Sequence, residues 1–272
     1  MRRLLVLLLS AFCLSSLAFA QTERQVGAKK LSSELGEAFV TLKVEYTSTV
    51  SCTMWGEDYN EESNAVRQLI PVTIVSKDGL GIAASGADVQ TEVAESVAAM
   101  FDDEDLAEYI ENLFYNVQID KMVYVMSDGR EIPVEIIIVD VKNDLAVLRP
   151  TEAIVGDLTF VDVENSTDPD LLSEILTPVR TIAELGHPVA IIPDYIIGVV
   201  SEPKDYYIAG GNTRYLADGV PCFALDGRFI GLQIEFKADL ERDDRSFIDS
   251  GFTPVTVILP AKYIAEILEN VK

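Results

Sequence analysis

The chain of 272 residues carries 45 acidic against 21 basic residues, a net charge of −24 with its one histidine neutral. So much negative charge repels phosphate backbones and anionic lipid surfaces, which argues against nucleic acid and acidic membranes as partners; its plain consequence is solubility, with binding of cations or recruitment of a basic partner as the alternative. The length suffices for a single domain with a sizeable core.

At the N-terminus, Arg2-Arg3, an apolar run over 4–9 and Ala18-Phe19-Ala20 have the layout of a secretory signal over residues 1–20, with cleavage predicted after Ala20. The run is short for a membrane anchor, and Cys13 follows Phe12 rather than the small residue of a lipoprotein site. No later segment has an apolar run of membrane length, so the mature chain over 21–272 is expected to be exported, secreted or periplasmic, without stable membrane insertion. It keeps Cys52 and Cys222. An even count in an exported protein permits one disulfide, and two buried, unpaired thiols are the alternative.

The first strand is predicted over Phe39-Val40-Thr41-Leu42-Lys43-Val44-Glu45-Tyr46, on its β-branched and aromatic content. Further strands are predicted over 123–126, 134–139, 199–200 and 229–234, with Asp-Gly turns at Asp78-Gly79, Asp128-Gly129 and Asp226-Gly227. Between Thr91 and Val117 the pattern changes. Leu106, Ile110, Leu113 and Phe114 recur at helical spacing behind Asp102, Asp103 and Asp105, which predicts a helical insertion over about 91–118. The run Asp102-Asp103-Glu104-Asp105 lacks the ligand spacing of a calcium loop and reads as a solvated face, so no metal or cofactor is expected. A polar stretch over 164–170 marks a crossing, and its Asn165-Ser166-Thr167 fits a glycosylation sequon, a pattern that any exposed loop contains by chance. Tyr263, Ile264, Ile267 and Leu268 form the stripe of a C-terminal helix over about 261–271. Strands and turns at this spacing predict an all-β-dominated fold.

Several segments carry a resemblance. The run from Leu216 to Leu232, with Asp218-Gly219-Val220-Pro221 and the Asp226-Gly227 turn, resembles the nucleophile loop and following hairpin of trypsin-like serine peptidases of the HtrA (Do) type. Asn143-Asp144-Leu145-Ala146-Val147-Leu148 is similar to the segment around that family's triad aspartate. Ile74 to Ala87 occupies the place of the strand, turn and segment that deliver the histidine, and Leu185-Gly186-His187-Pro188-Val189 with Gly198-Val199-Val200-Ser201 resembles the second-barrel strands. Val257-Ile258-Leu259-Pro260 is similar to the closing strand. The likeness runs from about Phe39 to Leu268.

The resemblance implies two Greek-key barrels, the first over about 36–160 including the insertion and the second over about 171–260. It also implies the site. The triad aspartate maps onto Asp144, the histidine onto Gly86 with a one-residue slip to Ala87 allowed, and the serine onto Asp218. The oxyanion loop maps onto Leu216, Ala217 and Gly219. Neither Gly86 nor Ala87 accepts a proton, and a carboxylate does not replace a hydroxyl that must shed one. The implied activity is that of a catalytically degenerate pseudoprotease that binds protein or peptide segments or acts as a scaffold. With no imidazole between them, Asp144 and Asp218 are expected to face a gap filled by water or a cation, unless Asp218 turns to the amides of its own loop. Two other classes stay open, an active serine endopeptidase using Ser85 or Ser201, and a purely structural envelope protein. His187, between Gly186 and Pro188, is expected to be a loop residue rather than a catalytic base.

Overall fold

The computed structural model describes residues 23–271 apart from 55–56, 91–92, 94–109, 155, 182–184, 203, 212–215, 217 and 237–254. The predicted signal over 1–20, Leu106, the acidic run Asp102–Asp105 and Ala217 lie outside the described residues. A helix over residues 23–34, α1, leads through a 3-10 turn into β1 (Phe39–Met54), β2 (Glu57–Ile74) and β3 (Gly81–Ala84). The strands β4 (Ile110–Val125), β5 (Glu131–Asp140) and β6 (Leu145–Pro150) close the first barrel in the order β1-β2-β3-β6-β5-β4. The second barrel contains β7 (Glu174–Arg180), β8 (Val189–Val200), β9 (Tyr206–Ala209), β10 (Pro221–Ala224), β11 (Phe229–Phe236) and β12 (Val255–Pro260), closed as β10-β11-β12-β9-β8-β7. The named strand pairs are antiparallel, and α2 (Ala261–Glu269) packs Ile264 and Leu268 inward behind β12. Closure of both sheets removes most free edges.

The turns explain the connectivity. In Met126 to Arg130 the amide of Gly129 donates to Met126 O (3.0 Å) and that of Met126 to Arg130 O (2.9 Å), with Gly129 at φ 81°. This is a type I turn closed by a left-handed residue, which a side chain resists and glycine does not. Asp128 completes it by accepting from the Arg130 amide (3.0 Å). Ala224 to Arg228 repeats the pattern, with Gly227 at φ 86° and the Asp226 carboxylate accepting from the Arg228 amide (3.0 Å).

The predicted helix gives way to strand from Ile110 onward. β1, β2 and β4 run on beyond the first barrel as a three-stranded antiparallel arm, with Val50 opposite Glu61 and Tyr115. Leu113 and Phe114 sit in β4, and Phe114 is 60 % exposed, so these two members of the apolar spacing belong to a strand rather than to a helical stripe. Pairing with β1 satisfies the backbone of this segment, and its Phe114, Tyr115, Val117 and Ile119 suit a pleated strand.

One buried cluster crosses from barrel to barrel. Phe39 of β1 meets Phe223 of β10 edge to face at 5.7 Å between ring centroids, and Phe223 meets Phe229 at 5.5 Å. Each such side chain contributes about 1.5–3 kcal/mol on burial. Arg180 adds a polar tie, since its buried guanidinium donates to the carbonyls of Gly36, Phe39 and His187. Among the described residues no helix is long and apolar enough to cross a membrane.

Candidate functional site

The 3-10 turn Val141–Asn143 sets the position of Asp144. Its first turn is capped by the Asp140 carboxylate, which accepts from the Asn143 amide (3.1 Å), and Asp144 then takes the left-handed conformation at φ 49° before β6 begins. Lys204 holds the same turn from the second barrel, donating to the Asn143 side chain while its ammonium stands 3.8 Å from the ring centroid of Tyr263. Asp144 is thereby held almost fully buried, with 5 % of its surface exposed.

A buried carboxylate requires donors, and Asp144 has them. One oxygen accepts the Ser85 hydroxyl, and the other accepts the backbone amide of Glu235 on β11 (3.0 Å). The Ser85 amide also donates to the Asp144 carbonyl (3.1 Å). Gly86 follows Ser85 directly in the 3-10 turn Ser85–Ala87, and a side chain begun there would meet nothing within 4 Å. A Cβ at Gly86 has open space around it, and the serine before it holds the Asp144 carboxylate.

The second-barrel loop arrives opposite. Gly219 lies at φ 89° and packs so closely on the end of β3 that an added Cβ would stand 2.9 Å from the Ala84 nitrogen and 3.2 Å from Pro71 O. Its amide donates to Gln233 O (2.7 Å), so it is not free to stabilise an oxyanion. Asp218, half-buried beside it, has its carboxyl pushed up to about 6, first by burial and then by the negative charges of Asp144 and Glu235. Among the described residues no donor is bonded to that carboxyl, so the expected turn toward its own loop amides is not made there. Leu216 is half-buried. Asp218 is thus near enough to Asp144 for the charge of one to act on the other, and Gly86 lies next to the serine that bonds Asp144.

The other candidates lie elsewhere. His187, at φ 52°, shares its Nδ1 with the Thr181 carbonyl (3.2 Å) in the loop before β8. Ser201 is exposed just after β8. Cys222 is fully buried, with its thiol pushed up to about 12 by burial, which denies it thiolate character. Cys52 and Cys222 are both unpaired. Among the described residues no three His, Cys, Asp or Glu side chains gather as a metal site.

Sequence reasoning missed the part played by Ser85 and Glu235. Ser85 had a signal, since a buried aspartate must find donors nearby. Glu235 contributes a backbone amide, which no residue type announces.

A cavity of about 180 Å³ adjoins this loop between the barrels, lined by Phe39, Val40, Pro71, Val72, Val179 and Pro221 among others. It has the size and apolar character to take a single side chain.

No protein-family model matches the chain. No curated protein matches it in sequence. Among solved structures it is similar to the MamO protease domain from Magnetospirillum magneticum in its apo form, at TM-score 0.50 and 8 % identity, covering 86 % of this chain and 97 % of that one. With the two closed six-stranded barrels, this gives the chain a trypsin-like double-barrel fold.

Proposed function

We propose that the chain is an exported, HtrA-type pseudoprotease that holds protein or peptide segments in the crevice between its barrels without cleaving them. The observation that carries this reading is the Ser85 hydroxyl on the Asp144 carboxylate, with a half-buried carboxyl at Asp218 near enough to feel that carboxylate's charge. A serine peptidase needs an imidazole between aspartate and nucleophile. Here the aspartate is bonded to a serine, the position facing the gap is Gly86, and the residue opposite is an acid. The apolar cavity beside Val220 and Pro221 supports a binding role, because it offers a slot for one side chain of an extended segment.

The rival reading, an active endopeptidase, has one observation in its favour, the same Ser85–Asp144 hydrogen bond. Against it, Ser85 is 7 % exposed and no imidazole stands by to take its proton. Labelling with a serine-directed fluorophosphonate and incubation with an unfolded protein separate the two. The expected result is no label, no cleavage, and binding that a Gly86→Trp variant weakens by filling the open space. Turnover abolished by Ser85→Ala would overturn the proposal, and intact protein that binds no unfolded chain would leave only the structural envelope role.

A further inference from the structure

The outer face of the second barrel carries an apolar ledge that the crevice does not use. Along β8, Tyr195, Ile197 and Val199 alternate outward at 44 %, 57 % and 49 % exposure, while Ile196 between them is fully buried. The chain before β7 brings two more apolar residues to the same place. The Leu172 amide donates to Ile196 O (2.8 Å) and the Ile196 amide to Ser173 O (2.9 Å), so Leu171 and Leu172 lie against the strand that bears the stripe. Both leucines are largely exposed, and Leu172 is held at φ 66°, a left-handed backbone that leucine rarely adopts. An exposed apolar side chain in a strained backbone gains nothing from this chain's own packing.

The ledge adjoins a groove of about 760 Å³ that runs under α1, with Val26, Leu225 and Ile230 in its lining and Glu23, Asp168 and Asp170 among its acids. The nearby cations are already engaged, since Arg24 pairs with Glu174 and reaches the Tyr195 hydroxyl (3.1 Å), and Arg228 pairs with Asp226 (2.7 Å). Among the described residues Glu23, Asp168 and Asp170 form no ion pair. Contiguous apolar surface with an acidic border marks an interaction site for a segment of opposite charge. A second copy of this chain would bring the same acids together, and an anionic membrane would be repelled by them.

We propose that this ledge and groove dock a basic, apolar-bearing segment of another protein, its apolar side chains on Leu171, Leu172, Tyr195 and Ile197 and its Lys or Arg side chains over Asp168, Asp170 and Glu23. This surface is separate from the crevice and stands or falls independently of the role proposed there.

A fluorescein-labelled Lys-Leu-Lys-Val-Lys-Leu-Lys peptide, titrated with the purified chain and followed by anisotropy, tests it. The basic peptide is expected to bind, more weakly at high salt, and its Glu-for-Lys counterpart is not. Leu172→Asn with Ile197→Thr is expected to weaken binding about tenfold or more. Asn suits the left-handed position, so the melting temperature of the double variant should not fall far enough to explain that loss. Asp218→Asn in the crevice should leave the affinity unchanged. Absence of binding, equal binding of the acidic peptide, or an unaffected double variant would overturn the proposal. So would a wild-type dimer in sedimentation equilibrium that the double variant converts to monomer, since the ledge would then belong to a second copy.

Discussion

Burial raises the Asp218 carboxyl to about 6, and the charges of Asp144 and Glu235 act in the same direction. A carboxyl raised in the folded state makes its full contribution to stability below its unfolded value near 3.8, and that contribution is lost as pH rises through about 6. Above that value the charged form is penalised in the fold. Asn at this position keeps the shape and removes the charge. Asp218→Asn is therefore expected to melt higher than wild type at neutral pH, the advantage shrinking between about 6 and 4 and vanishing below. Partial exposure of the group screens the effect and keeps it modest. Melting curves followed by circular dichroism from acid to neutral pH measure it, and a gain that does not change with pH would separate Asp218 from the charges of Asp144 and Glu235. The loop and turn segments that bear the resemblance pointed to Asp144 and Asp218, two carboxyls near enough for the charge of one to act on the other. What the side chains do there was not legible, because the donors of a buried aspartate are chosen in three dimensions, here the Ser85 hydroxyl and a backbone amide of β11.

Elements were legible where local chemistry alone determines them. Ser127-Asp128-Gly129-Arg130 and Leu225-Asp226-Gly227-Arg228 specify the same turn because the aspartate caps the arginine amide and glycine takes the left-handed corner. The arm was illegible for the opposite reason. Strand β4 derives its register from β1, whose partner residues lie 56 to 84 positions earlier in the chain, and Phe114, exposed on the arm, counts toward a helical period without being buried. Two glycines test the local logic. At Gly129 an added methyl meets no atom within 4 Å, so Gly129→Ala isolates the backbone and is expected to destabilise by about 1–2 kcal/mol. At Gly86 the methyl also meets open space but φ is not in the left-handed range, so Gly86→Ala should be neutral or slightly stabilising through the unfolded chain. Urea denaturation of the pair decides the point, and equal losses at both positions would show that the left-handed angle at Gly129 is not what sets the cost.

Two closed barrels need not unfold together, and what couples them here is the aromatic contact at their junction. Phe223 is fully buried and touches Phe39 of the first barrel and Phe229 of its own, within one cluster that extends to Leu42 and Leu176. The Arg180 hydrogen bonds to Gly36 and Phe39 and the Lys204 contact to Asn143 cross the same boundary. A continuous core of this kind makes separate melting costly, because opening either barrel exposes apolar surface of both. Wild type is therefore expected to unfold in urea with coincident near- and far-ultraviolet transitions. Phe223→Ala removes the ring at the junction and is expected to destabilise by about 3–5 kcal/mol, with the cavity shared between the barrels. If the junction is the coupling, the variant's two transitions should also separate, the first barrel and the second then losing structure at different urea concentrations. Coincident transitions in the variant would assign the coupling to the polar ties of Arg180 and Lys204 instead, and Arg180→Met would then be the substitution that splits them.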